Sequence, residues 1–338
     1  MSIDIILLII GLVLAFIMAV NIGGNDAANP TSPTVGSGAL SLKKTLAIFA
    51  IFTVAGATLQ GYMVMKTIGS GIVENIDIIG AIAIVLAASI WIFFSSLRGM
   101  AISTGHSIIS AVIGYGILKF TFSGLNFSIL VSIVLSWITS PLCALFFGYA
   151  FFKIIEVFIL KKQNGNKKIE KGLKIALIIS LCFAAYSFGA NDVSHATGVY
   201  IKITGIEGAI PNMSTMFFLA LYGAIGIVIG GITIGRRVIE TLAFKVTRLD
   251  IPTALAASLS NAFVVFAFAT IPYLIWGYGL PISSSYAAVG AIIGASSARS
   301  KKSVNIKVSA TLVLYWITTV PICAALGGVI YYLFTVFL

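Results

Sequence analysis

The 338-residue chain is 59% hydrophobic and only 9% charged, with a formal charge of +11 and a mean hydropathy of +1.10. A soluble domain needs roughly a quarter of its residues charged to cover its surface, so a soluble globular protein is excluded and the outer surface must face lipid. Apolar runs of about 20 residues, rather than alternating ten-residue segments, exclude a β-barrel, and the basic excess reads as positive-inside bias rather than a nucleic-acid footprint.

In chain order the sequence predicts ten apolar passes, near 4–28, 44–65, 78–97, 100–118, 127–152, 174–200, 213–234, 252–275, 279–298 and 308–337. The first has no basic flank before it and no small-residue cleavage site after it, so it reads as a span and not a signal peptide. One hydrophilic stretch, Lys161 to Lys168, interrupts the short connections. It predicts a first half over 1–160, a basic linker over 161–172 and a second half over 173–338. With the amino terminus outside, 18 of the 21 basic residues fall on the inner side, leaving Lys66, Lys119 and Lys202 outside. This bias predicts both termini outside and the linker in the cytoplasm. Whether the passes near 100–118 and 279–298 cross or re-enter is left open. Cys143, Cys182 and Cys323 sit inside apolar runs, with no disulfide or metal spacing.

Five passes in each half make the halves inverted relative to one another, and the sequence relates them. Gly24-Asn25-Asp26-Ala27 recurs as Ala190-Asn191-Asp192-Val193, Ile102-Ser103-Thr104-Gly105-His106 as Ile282-Ser283-Ser284-Ser285-Tyr286, and Trp137-Ile138-Thr139 as Trp316-Ile317-Thr318. The offsets are 166, 180 and 179, in the same order along both halves. The expected fold is an all-α polytopic membrane protein of two inverted-topology repeats, with broken helices or re-entrant hairpins at the midplane. That is the usual build of secondary transporters.

Of the ten acidic residues, only Asp26 and Asp192 fall inside apolar passes. A carboxylate in hydrocarbon costs several kcal/mol and must face a cavity or a cation. Gly23, Gly24, Pro30 and Pro33 surround the first, and Gly189 precedes the second. Such residues break the backbone ladder and free N–H and C=O groups at membrane depth. Asp26, Asp192, Asn25 and Asn191 are therefore candidate ligands for a hard cation such as Na⁺. Ser103, Thr104, Ser283, Ser284 and Ser285 are candidate anion donors, together with Asn25 and Asn191. His106 could add a donor at the position matched by Tyr286, whereas His195 reads as structural or peripheral. No Lys or Arg occupies the middle of a pass. Two carboxylates beside a divalent anion make a charge of about −4, which cannot form in low dielectric without bound cations. Cation-coupled anion transport follows.

These motifs resemble the inorganic phosphate transporter (PiT) family. Its duplicated G-A-N-D-V-A-N-A signature is similar to Gly24–Asn29 and Gly189–Val193, and its V-G-S-G-A-L stretch to Val35–Leu40. Its P-[IV]-S-x-T-H motif is similar to Ala101–His106 and Pro281–Tyr286, and its G-R-R-V-I run to Gly235–Ile239. The resemblance implies a sodium- or proton-coupled phosphate symporter, a homodimer, and phosphate contacts from Ser103, Thr104, Ser283 and Ser284. The departures are Ala101, Gly105, Tyr286 and Ser194-His195, with Thr53 and Ser258 where some members carry glutamate. Sodium import of phosphate is the leading expectation. A sulfate or other oxyanion permease of the same fold is the first rival. An anion channel would favour a basic or neutral lining, and a hydrolase built on Ser103 or Ser283 with His106 lacks a repeated Ser–His–Asp order.

Overall fold

The computed structural model describes residues 3–162, 166–203, 213–300 and 304–337, so positions 163–165 of the expected linker lie outside the described residues. The first half contains α1 (Ile3–Asp26), α2 (Ala28–Gly36), α3 (Leu42–Gln60), α4 (Tyr62–Lys66), α5 (Ile78–Leu97), α6 (Thr104–Phe120) and α7 (Phe127–Phe158). The second contains α8 (Lys167–Thr197), α9 (Met213–Thr233), α10 (Arg236–Glu240), α11 (Ile251–Trp276), α12 (Ser284–Arg299) and α13 (Ile306–Phe337). Among the described residues, one isolated bridge, Val73 with Leu125, is the only β-type pairing.

Eight helical stretches are long and apolar enough to cross a membrane. Side chains such as Ile51, Phe146 and Leu274 point outward from them into the surroundings, as a lipid-facing surface requires. The two remaining expected passes are shorter. α6 has 17 residues and α12 has 16, and each follows a non-helical stretch, near 100–103 and 278–283. Each forms a hairpin with the long helix before it. Arg237 donates to the Leu97 carbonyl at the end of α5, while Lys119 at the end of α6 pairs with Asp77, the residue that caps the start of α5. The segment 98–120 therefore retraces α5 from end to end. Arg299 pairs with Asp250, the cap of α11, at 3.2 Å, so 277–299 retraces α11 in the same way.

The halves interleave. α3 packs on α8 and α9 on α1, while α12 packs on α7 and α13 on α6. Elements matched by sequence order thus have matching neighbours. Glycine makes these crossings possible. A Cβ on Gly189 would overlap the Thr53 carbonyl oxygen and one on Gly56 the Tyr186 carbonyl oxygen, which locks α8 against α3. Gly23 and Gly230 play the same reciprocal part between α1 and α9. Lipid offers no hydrophobic drive between helices, so such close backbone approach is the main source of attraction.

Backbone breaks follow from proline at one signature and not at the other. Pro30 has no N–H to donate to the Asp26 carbonyl, and Pro33 none for the Asn29 carbonyl. The helix accordingly stops at Asp26 and restarts at Ala28. The glycine near Asp192 was expected to break the second copy too. Instead α8 runs unbroken through it to Thr197, because Gly189 serves the contact with α3 and no proline follows.

Candidate functional site

Asp26 and Asp192 are each 1% exposed and are the only buried carboxylates among the described residues. The ends of the broken helices bring neutral donors to them. α6 and α12 both begin where a serine caps the helix. Ser103 Oγ accepts from the His106 N–H at 3.1 Å and Ser283 Oγ from the Tyr286 N–H at 3.2 Å. The next residues, Thr104 and Ser284, each donate to the aspartate of their own half. Thr104 Oγ1 lies 2.5 Å from Asp26 Oδ2 and Ser284 Oγ 2.9 Å from Asp192 Oδ1.

Three further residues close the circuit. Asn29 Nδ2 donates to Ser284 Oγ at 3.0 Å and to Ser285 Oγ at 3.1 Å, and Ser285 donates to Asp26 Oδ1 at 2.9 Å. On the other side, His195 Nδ1 lies 3.2 Å from Thr104 Oγ1 and 3.5 Å from Asp192 Oδ1. The circuit runs Asp26, Thr104, His195, Asp192, Ser284, Asn29, Ser285 and back to Asp26. Two carboxylates are thus joined through hydroxyl, amide and imidazole groups, and no Lys or Arg side chain is buried among the described residues. Pro30 leaves the Asp26 carbonyl without its usual helical donor, and Asn261 Nδ2 donates to the Asn29 carbonyl at 3.5 Å. A concentration of carboxylate, amide, hydroxyl and carbonyl oxygens suits a hard monovalent cation. Helix starts with their free N–H groups suit an anion.

The sequence expectations meet this geometry unevenly. Thr104, Ser284, Ser285, Asp26 and Asp192 come together as expected. Asn25 and Asn191 lie beside the ring, with their amides spent on the extended segments. Asn25 Oδ1 accepts from Ile102 N–H at 2.9 Å while its Nδ2 donates to the Met100 carbonyl and Ser96 Oγ, both at 2.9 Å. Asn191 Oδ1 accepts from Ile282 N–H at 3.2 Å, and its Nδ2 donates to the Ile282 carbonyl and Asp192 Oδ2, both at 3.0 Å. Unwound backbone at membrane depth needs such partners. His106 is off the ring. It bonds Ser103 and stacks between Trp137 and Tyr286, with centroids 3.7 and 4.5 Å away, and Trp316 extends the stack beyond Tyr286 at 3.8 Å.

His195, expected to be peripheral, is on the ring, and Asn29 was not among the expected site residues. The signal for both was present. Asn29 and His195 are separated by 166 residues, the same offset that relates Asp26 to Asp192. Thr53 and Ser258 are buried away from the ring; Thr53 donates to the Ala185 carbonyl at 3.3 Å and the Ser258 hydroxyl has no partner.

The sequence profile of the family described as "Phosphate transporter family" matches residues 22–327. The chain belongs to the phosphate transporter family. A protein from Pyrococcus furiosus named "Putative phosphate permease" is 29% identical, over 96% of this chain and 95% of its own. One of the same name from Thermococcus kodakarensis is 30% identical, over 96% and 97%. A solved structure titled "The sodium-dependent phosphate transporter" superposes with a TM-score of 0.88 at 28% identity, covering 98% of this chain and 100% of that one. This family member is therefore a multi-pass membrane transporter and not an enzyme, which removes the hydrolase reading of Ser103 and His106.

Proposed function

We propose that the protein is a secondary active transporter that imports inorganic phosphate with sodium as the coupling cation. Its site lies at the midplane between two inverted repeats, over 1–160 and 173–338. Both termini are outside, the linker is in the cytoplasm, and the working form is a homodimer. The single observation carrying this reading is the ring that holds two buried aspartates with no lysine or arginine buried beside them among the described residues. Such a site cannot admit a dianion unless cations enter with it. Obligatory co-binding is symport.

Asp26 and Asp192 bind the cation, with help from freed carbonyl oxygens. Thr104, Ser284, Ser285 and the capped starts of α6 and α12 bind phosphate, and Ser103 and Ser283 hold those starts in shape. Asn25 and Asn191 position the extended segments. The sodium assignment draws on the related solved structure, whose title states sodium dependence.

Uptake of radiolabelled phosphate into proteoliposomes, with inward Na⁺ and H⁺ gradients imposed separately and unlabelled sulfate as competitor, tests this. Uptake driven by Na⁺ and insensitive to sulfate is expected. Uptake driven only by H⁺ would replace the cation. Sulfate uptake without phosphate uptake would move the substrate to the rival oxyanion and keep the aspartate ring.

A further inference from the structure

We propose that Arg236 and Arg237 form a second oxyanion site, at the inner mouth of the carrier, which takes up phosphate as it leaves the aspartate ring for the cytoplasm. The proposal rests on the carrier reading above and deepens it.

A cavity of about 370 Å³ opens where the end of α5 meets the turn between α9 and α10. That is within the range of ~300–1,000 Å³ usual for small-molecule sites. Ser96, Leu97, Thr233, Ile234, Arg236 and Arg237 line it. Its hydroxyls have already given their hydrogens. Ser96 Oγ donates to the Ile92 carbonyl at 2.9 Å, and Thr233 Oγ1 to the Ile229 carbonyl at 2.7 Å. The guanidinium groups are the side-chain donors left. Arg237 gives one N–H to the Leu97 carbonyl at 3.1 Å and pairs with no carboxylate among the described residues. Arg236 pairs with Glu240 through Nε at 2.8 Å and stays 75% exposed. The wall is therefore net positive. Each guanidinium keeps further N–H groups in the planar fork that matches the edge of a phosphate.

The cavity lies against the supports of the ring. Ser96 Oγ accepts from Asn25 Nδ2 at 2.9 Å, and Asn25 adjoins Asp26. A Cβ on Gly24 would sit 3.2 Å from Ile234 Cβ. An anion moving inward past Asn25 arrives at these guanidinium groups.

A basic excess on the inner side is ordinary for a membrane protein, but it does not by itself put the charge on a concave wall. The repeat shows that the fold does not need it there. α4 and α10 are each five residues long, and each runs into one turn of π-helix, over Thr67–Gly71 and Thr241–Lys245. Tyr62 and Met63 open α4 where Arg236 and Arg237 open α10. The same turn is thus built in the first half without a cation at either place. Exposed arginines hold an anion weakly, which suits a departing one, since it must be captured and still leave. The same forks fit the phosphate group of an anionic lipid, and the contact with Asn25 favours free phosphate.

The test is equilibrium binding of radiolabelled phosphate, without sodium, to the whole chain in nanodiscs of phosphatidylcholine. On the carrier reading, omitting sodium keeps phosphate out of the ring. Saturable binding is expected, weakened at least about tenfold by Arg236→Gln and by Arg237→Gln, each of which removes a charge-assisted bond. Arg236→Gln leaves the Leu97 contact intact, and thermal unfolding shows that each variant is folded. In proteoliposomes of sorted orientation, the half-saturating phosphate concentration at the inner face should rise in both variants. No sodium-free binding in the wild type, or binding unchanged in both variants, would overturn the site, while sodium-driven uptake would leave the carrier reading intact. An unchanged half-saturating concentration at the inner face would overturn the release role. Phosphatidylglycerol added to the discs should leave phosphate binding as it was; displacement of phosphate by it would assign the cavity to a lipid headgroup and overturn the proposal. Absence of phosphate uptake under either gradient would overturn the carrier reading, and the release role with it.

Discussion

Gly189 and Gly172 lie on the same helix, α8, and alanine should move stability in opposite directions at the two. At Gly189 the added Cβ would overlap the Thr53 carbonyl oxygen and lie 2.8 and 2.9 Å from two further backbone atoms of Thr53. Comfortable carbon contacts need about 3.5 Å or more, so α3 and α8 must part by about 1 Å. Overpacking of this kind costs about 1–3 kcal/mol. The displacement also reaches the ring, because Asp192 follows three residues later. Lengthening its 2.9 Å bond to Ser284 by about 1 Å takes it past hydrogen-bonding distance, and a misplacement of that size lowers turnover by about 100-fold. Gly172 is exposed, and a Cβ there meets nothing. Alanine at Gly172 should stabilise by about 0.4–1 kcal/mol by restricting the unfolded chain. Thermal unfolding in detergent, followed by tryptophan fluorescence, and phosphate uptake in liposomes read the two effects. A Gly189→Ala protein as stable and as active as the wild type would refute the close-approach reasoning.

Asp26→Asn and Asp192→Asn should each abolish cation-driven uptake while the protein still inserts and elutes as a single species. Wild-type uptake by both would remove the cation site from the ring. Asn25→Ala leaves the Ile102 N–H and the Met100 carbonyl without their partner and should cost about 1–3 kcal/mol for each group left unsatisfied, measurable as a lowered unfolding temperature. Lys119→Gln breaks the pair with Asp77 at the end of α6 away from the ring. Both side chains are partly exposed, at 26% and 40%, so the loss should stay within about 1 kcal/mol and uptake should be close to wild type. A large fall in uptake would mean that this end of α6 takes part in transport.

The membrane class and the pair of buried aspartates were legible because each rests on a strong local signal. Apolar runs and a repeated Asn-Asp pair need no tertiary information. The shape of the backbone around Asp192 was not legible. Glycine serves both to break a helix and to admit a neighbouring one, and only the position of Thr53 distinguishes the two for Gly189. The asparagines illustrate a similar ambiguity. Their side chains were expected to face ligands, whereas Asn25 and Asn191 hold segments 100–102 and 282, whose extended form could not be read from composition. His195 was undervalued because a lone membrane histidine has many structural uses. Its partners, Thr104 and Asp192, come from different halves, so the sequence carries their proximity only through the repeat. Asn29 was hidden for the opposite reason, since it immediately precedes Pro30 and reads as part of a helix-breaking run.

The exchange of neighbours between the halves bears on how the chain is made. When the first half leaves the ribosome, the faces of α1 and α3 that carry Gly23 and Gly56 have no partner, because α9 and α8 have not yet been synthesised. These bare backbone grooves must wait in lipid until the second half arrives. Neither half is then a finished folding unit, and the last helices inserted lock the first. Two polypeptides divided between α7 and α8 and produced together should assemble into an active transporter, whereas either alone should be degraded. Persistence of a lone half as a stable, homogeneous species would mean that its grooves find other partners.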